Sequence, residues 1–223
     1  LSELARELSS GDRRAVAVPC DVLDAASVRE AARRAEQELG GPIDLAIANA
    51  GVSIPGHATK FNLTDAEQII RVNVLGVLYL FDAVIPSMVE RRSGHFVGVA
   101  SLAGLRGLPS GATYSASKAA VQAFLEASRI ELAPYDVAVT TVNPGFVATP
   151  MTEKNRFRMP FLMTAEESAA LIAERLGKRP RVIEFPAPMS ALMRFARLLP
   201  APLYERMVAP YGRRKLDPGR VKR

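Results

Sequence analysis

Tyr114 and Lys118 stand four residues apart in the stretch YSASK, with Ser101 thirteen residues upstream. This places a proton donor, a cation and a second hydroxyl on one short piece of chain. On a helix, residues at i and i+4 share a face, their Cβ atoms about 5–6 Å apart. A phenol titrates near pH ~10, and a neighbouring ammonium favours the phenolate and draws that value toward neutrality. A group tuned in this way gives or takes a proton at working pH. The spacing alone is common, so its meaning depends on which other polar residues the fold brings to it.

The elements that would position these groups alternate. Arg14 to Pro19, Ile43 to Ala48, His95 to Ala100, Val137 to Val142 and Val182 to Phe185 read as short buried strands rich in Val, Ile and Ala. Helical patterns lie between them. One runs from Asp24, an N-cap type, to Leu39 before Gly40 and Gly41. A second opens at Thr64, where Thr64 and Glu67 have capping-box spacing, and continues toward Arg91. A third carries YSASK from Thr113 to Ala133, and a fourth starts at Thr164 with Glu167 three residues on. Such alternation predicts an α/β fold, a single doubly wound domain with a parallel sheet covered on both faces.

In such sheets ligands bind beyond the carboxyl ends of the strands. Asp21, Asn49-Ala50-Gly51, Ser101 and Asn143-Pro144-Gly145 all fall at predicted strand ends, on the same edge as Tyr114 and Lys118. Each set is also ordinary turn chemistry; their convergence carries the argument. At this point the chain resembles the short-chain dehydrogenase/reductase family, with its Rossmann-like fold and its NAD or NADP cofactor. The resemblance implies catalytic roles for Asn73, in VNVLG, and for Ser101, Tyr114 and Lys118. It implies cofactor contacts from Asp21 and Val22, from Asn49, Ala50 and Gly51, from Tyr114 and Lys118, and from Pro144, Gly145, Val147 and Thr149 in a PGxxxT loop. By the same resemblance Ser101 polarises a substrate carbonyl, Tyr114 exchanges the proton, Lys118 tunes Tyr114 and binds the nicotinamide ribose, and Asn73 holds a water that reaches Lys118. The partners implied are a small carbonyl or alcohol substrate and further copies of the chain, as a dimer or tetramer.

The family's phosphate-binding TGxxxGxG motif does not occur in the chain, which opens at Leu1 within what resembles the helix after the family's second strand. The expectation is a fragment of a longer protein, or a truncated chain. In either case the 14–19 segment would lack a neighbour and the 43–48 strand would have an open apolar edge. The residues that choose NAD or NADP are not legible.

The domain reading is a partial cofactor domain over 1–187 and a C-terminal extension over 188–223. Leu192, Phe195, Leu198 and Leu199 form an apolar helical face beside Arg194 and Arg197. Such a face either packs on the domain or another subunit, or lies on an anionic membrane surface. A similar basic, amphipathic ending occurs in lipid-handling members of the family the chain resembles. That resemblance implies an apolar, lipid-like substrate, with which the apolar stretch Met151 to Met163 as a substrate lid agrees, and the helical face suggests weak membrane contact through 188–209. The net charge of +6 owes much to the tail, where Gly212 to Arg223 hold six basic residues against Asp217 alone. Nothing resembles a nucleic-acid module, and His57 and His95 lack companions at metal-ligand spacing. The single Cys20 admits no internal disulfide and reads as a small core residue; the expectation is a cytoplasmic protein, with the peripheral contact of 188–209 at the inner face of a membrane. Two other functions fit the motifs: a nucleotide-sugar epimerase, against which the short region after Thr149 argues, and a non-catalytic binding protein on the same scaffold.

Overall fold

The computed structural model describes residues 1–214 apart from Asp12, Lys154, Arg156 and Phe157, with the side chains described up to Tyr211. Phe157 of the expected lid and the expected basic tail, in its side chains, lie outside the described residues. After a short helix, α1 (Ser2–Leu8), with no buried residue, the chain runs extended to α2 (Ala25–Leu39). The Asp24 carboxylate accepts from the backbone N–H groups of Ala26 and Ser27, and Gly40, at φ 77°, ends the helix in the left-handed conformation. Strand β1 (Leu45–Ala48) leads to α3 (Leu63–Ile70), a π-turn (Arg71–Leu75) and α4 (Gly76–Glu90). Then follow β2 (Gly94–Val99), α5 (Ala112–Leu132), β3 (Val137–Pro144), the single turn α6 (Pro150–Glu153), α7 (Ala165–Leu176), β4 (Val182–Phe185), α8 (Ala187–Leu198) and α9 (Ala201–Arg214).

The four strands form one parallel sheet in the order β1-β2-β3-β4. Alternation along β2 divides the core. Phe96 faces α4 and α5 with Met88, Leu125, Val121 and Val139, while Val97 faces the other way with Val142, Ile183, Phe185 and Leu176 of α7. Phe81 meets both Phe96 and Phe124 edge-on, at 5.1 and 4.8 Å between ring centroids, which fastens α4 and α5 to the same strand. The helical run 63–90 is long and apolar enough to cross a membrane, and Val77, Val84, Ile85 and Met88 of it are buried in the core beside the sheet.

Three expectations are corrected. Arg14–Pro19 is not a strand: no strand runs beside it among the described residues, so its backbone has no ladder to join. The Ser9 hydroxyl instead accepts from Ala15 N at 3.0 Å and donates to Ala5 O at 2.8 Å. Cys20, which follows this segment, is exposed rather than buried. The second long helix starts at Asn62, whose Oδ1 accepts from Thr64 N and Asp65 N, and not at Thr64. The open edge of β1 is as expected: Leu45 and Ile47 are 45% and 44% exposed beside an apolar groove of about 540 Å3 lined by Val28, Leu39, Ile43 and Leu80.

His95 is buried at the start of β2, its Nε2 2.8 Å from Thr140 Oγ1, and burial with the Arg179 charge nearby holds its pKa below the ordinary value. The fold therefore prefers neutral imidazole, and acidification through ~6.5 protonates the unfolded chain first and costs stability. His95→Gln should flatten the fall in urea-unfolding stability between about pH 7.5 and 5.5; an unchanged slope would refute this.

Candidate active site

The carboxyl end of β2 starts the site. Ser101, two residues beyond Val99, caps a 3₁₀ turn (Leu102–Gly104): its Oγ accepts from Ala103 N at 3.1 Å and lies 3.4 Å from Pro144 O at the end of β3. That turn sits directly on the backbone of α5. A Cβ on Gly104 would come within 2.8 Å of Lys118 C and 2.9 Å of Ala119 N, so only glycine permits the approach.

Tyr114 lies in the first turn of α5 and Lys118 one turn on, as the spacing predicts. Lys118 is 4% exposed, its Nζ donates to Val99 O at 2.8 Å, and it stands 5.8 Å from the Tyr114 ring centroid. Burial brings its pKa down to about 8. The expectation that Lys118 draws the Tyr114 phenol toward neutrality is corrected. Burial pushes the phenol up, and the pull in the other direction comes from the nearby Ser101 hydroxyl.

Asn73 is fully buried in the π-turn. Its Oδ1 accepts from Val52 N at 2.8 Å, and its Nδ2 donates to Val52 O and to Ser117 Oγ, both at 3.0 Å. Both donor hydrogens are thereby used, and the amide binds the turn after β1 to α5. Ser117 in turn donates to Tyr114 O at 2.7 Å. A π-turn adds one residue to the helical register, and here that residue lies where the chain must aim an amide at Val52.

The Asn49-Ala50-Gly51 turn lies against this tie: a Cβ on Gly51 would sit 3.4 Å from Asn73 Oδ1 and 3.5 Å from Lys118 Nζ. Asn49 and Ala50 are exposed and share a cavity of about 120 Å3 with Val22 and Gly76. Asp21 is exposed beside Val22; its carboxylate accepts from Leu23 N at 2.9 Å. Gly145 N donates to Phe185 O at 2.7 Å, joining the end of β3 to β4. Val147 pairs with Met163, and Thr149 N donates to Thr152 Oγ1 at 3.0 Å. These two bonds shape the loop after β3, and no hydrogen bond from Val147 or Thr149 to Ser101, Tyr114 or Lys118 occurs among the described residues. The structure thus gathers Gly51, Asn73, Ser101, Tyr114, Lys118 and Pro144 closely. Val22 lines the cavity beside Asn49 and Ala50, with Asp21 next to it in the chain, while Val147 and Thr149 belong to the separate loop after β3.

Sequence reasoning missed Gly104, Ser117 and Gln122. Ser117 had a signal, being a polar residue inside YSASK on a helix that must face the core; the others had none. Among the described residues no three His, Cys, Asp or Glu side chains gather as metal ligands do. A nicotinamide cofactor suits the gathered residues. Gly51 leaves the approach to Lys118 Nζ clear of side chain, and Asn49, Ala50 and Val22 line the adjoining cavity.

Comparison with known proteins gives the class. A sequence model of the short chain dehydrogenase family matches residues 1–159, and the chain belongs to that family. It is 40% identical over 188 residues to an uncharacterized oxidoreductase of Myxococcus xanthus, covering 84% of this chain and 74% of that protein. It is 36% identical over 163 residues to the ketoacyl reductase HetN of Nostoc, covering 73% of this chain and 56% of that one. Among solved structures, a short chain dehydrogenase from Burkholderia cenocepacia in complex with NADP matches with a TM-score of 0.76 at 28% identity, covering 92% of this chain and 83% of that one. The family's enzymes are oxidoreductases that use NAD or NADP on small molecules, in the Rossmann-like parallel fold described above.

Gly104→Ala should force the 3₁₀ turn off α5, lower stability by about 1–3 kcal/mol and separate the Ser101 and Tyr114 hydroxyls. Chemical denaturation with a crystal structure of the variant checks this; an unshifted Ser101 in a protein of full stability would contradict it.

Proposed function

We propose that this chain carries the proton-transfer site of an NAD(P)-dependent oxidoreductase that interconverts a carbonyl and a secondary alcohol. The observation that carries the reading is the convergence, at the carboxyl end of β2, of the Ser101 hydroxyl with the buried Lys118 ammonium, which is held by Val99 O and stands 5.8 Å from the Tyr114 ring centroid. Ser101 donates a hydrogen bond to the substrate oxygen, as the donors of an oxyanion hole do. Bound nicotinamide supplies or accepts the hydride. Tyr114 gives its proton to the developing alkoxide and takes it back in the reverse direction. Its raised pKa keeps the phenol protonated, which suits reduction. Lys118 places positive charge beneath the phenol and faces the open backbone at Gly51, where a ribose would approach. Asn73 fixes the Asn49-Ala50-Gly51 turn relative to α5.

Residues 1–187 act in this reading as the cofactor-binding unit and residues from 188 on as its extension. An apolar substrate is supported by the loop after β3, where Met151, Phe161 and Leu162 are 40%, 53% and 46% exposed. Tyr114→Phe should lower kcat by about a hundredfold to ten-thousandfold while leaving NADPH affinity, read by fluorescence titration, within about threefold. A panel of 2-ketones of increasing chain length, followed by nicotinamide absorbance, provides the turnover. Undiminished turnover in Tyr114→Phe would remove the assignment.

One further observation supports a peripheral membrane contact and with it a site at the inner face of a membrane. On α8, Leu192, Phe195 and Leu198 are 52%, 60% and 82% exposed beside Arg194 and Arg197, while Met189, Ser190 and Ala196 hold the opposite side to the domain. On α9, Leu203 and Met207 repeat the pattern beside Arg206. An apolar face rimmed by Arg suits anionic lipid; association with further copies of the chain is the competing use. Vesicles containing phosphatidylglycerol should sediment the protein and pure phosphatidylcholine should not, with Leu192→Ser/Phe195→Ser/Leu198→Ser abolishing recovery. Equal recovery of this variant would reject the contact.

A further inference from the structure

Behind Ser101 a chain of amides, one half-buried and one buried, runs from α5 to the surface of α8. Gln122 Nε2 donates to Ser101 O at 2.7 Å and to Asn143 Oδ1 at 2.9 Å. Asn143 Nδ2 donates to Glu184 Oε1 at 3.1 Å, and Arg194 Nε donates to Glu184 Oε2 at 2.8 Å. Asn143 is 3% exposed and the Glu184 side chain 10%, whereas the Arg194 side chain is 67% exposed. The members belong to four elements, α5, β3, β4 and α8, so packing within any one of them cannot set the chain.

The direction of every bond follows from its acidic end. An ionised carboxylate only accepts, so Asn143 must turn its NH₂ toward Glu184 and its carbonyl toward Gln122. Gln122 must then turn its NH₂ inward, where its two hydrogens meet two acceptors, Asn143 Oδ1 and Ser101 O. Were Asn143 reversed, two NH₂ groups would face each other; were Gln122 also reversed, its carbonyl would face Ser101 O. Reversal of Asn143 also sets its carbonyl against the Glu184 carboxylate, so two contacts would be lost in either case, at a cost no solvent repays.

We infer that Gln122, Asn143 and Glu184 are positioning residues, a relay in which the Glu184 charge fixes the orientation of two amides and thereby the backbone of Ser101. The inference rests on the reading of Ser101 as the group that polarises the substrate carbonyl. Its role is to hold Ser101 where the Oγ meets both Tyr114 and substrate. Arg194 anchors the outer end but does not set the direction, because Glu184 accepts from Asn143 with or without it.

The test exchanges donor and acceptor. Asn143→Asp alone sets two carboxylates against each other and breaks the chain. In the double variant Asn143→Asp/Glu184→Gln the new amide donates to residue 143, residue 143 still accepts from Gln122, and the amide oxygen of residue 184 still accepts from Arg194. The readout that needs no turnover is ¹⁵N–¹H NMR of the Gln122 NH₂ group and the Ser101 and Leu102 backbone amides, with thermal unfolding beside it. The expected result is that Asn143→Asp and Glu184→Leu shift these signals and lower the unfolding midpoint, and that the double variant restores both. Arg194→Met should leave the Gln122 signal in place. A double variant as perturbed as the two single changes combined, or a Gln122 signal unmoved in folded Glu184→Leu, would overturn the relay. With NADPH and 2-decanone, kcat should fall about tenfold or more in Glu184→Leu at nearly constant KM, and recover in the double variant. Restored NMR signals with no recovery of kcat would overturn the link to Ser101. Absence of turnover in the unaltered protein would fail the proposed function alone, the NMR comparison still deciding the relay.

Discussion

The contact between Lys118 Nζ and Val99 O, 2.8 Å long and shielded from water, is the constraint around which the site is arranged. A buried ammonium must find acceptors, and here the acceptor is a strand-terminal carbonyl that no further residue of the sheet claims. Once α5 is moored to the last residue of β2, Tyr114 and Ser101 have little freedom: the first is one helical turn from the mooring, the second two residues past it. Gly104 sets how close these pieces come, and the core beneath, Phe96 and Leu125, supports the same pair of elements from the other side. The same burial that makes the site dry lowers the Lys118 pKa to about 8 and raises that of Tyr114.

A second layer of polar groups converts this pairing into a defined cleft. Asn73 and Ser117 are both fully buried, and between them they use every donor they have on Val52, Tyr114 and each other. Satisfied buried networks of this kind define one arrangement over competing ones, because each alternative leaves a donor without a partner. The turn after β1, the π-turn and α5 are therefore held in mutual register by side chains rather than by the sheet ladder.

Much of this was legible from residue types, for reasons that differ by element. Asp24 with Gly40, and Thr164 with Glu167, mark helix ends through bonds a few residues long, so local pattern suffices. Thr64 and Glu67 carry the same spacing as Thr164 and Glu167, yet Asn62 takes the cap; several residues could serve there, and the path of the incoming chain chooses among them. Arg14–Pro19 had the composition of a strand, but a strand is a relation between two segments and its composition records only one. The polar convergence was readable because strand ends in a parallel sheet share one edge. The partners of Asn73, Gln122 and Gly104 were not, since they lie on distant segments and depend on ångström-level packing. The direction of the Tyr114 shift failed for a related reason: sequence shows a neighbouring cation, but only the fold shows how little water reaches the phenol.

The pairing of Val147 with Met163 closes the segment between them at its base, with Ala148 N and Met163 N donating across the neck. A closed loop is insensitive to its own length: doubling the number of residues costs only about 0.6 kcal/mol in closure entropy. The chain beyond the neck can therefore lengthen, shorten or change composition with little effect on β3, Pro144 or Ser101. The loop and the cluster of Ser101, Tyr114 and Lys118 are in this way parts that can diverge separately, so insertions and deletions in the one need not disturb the other.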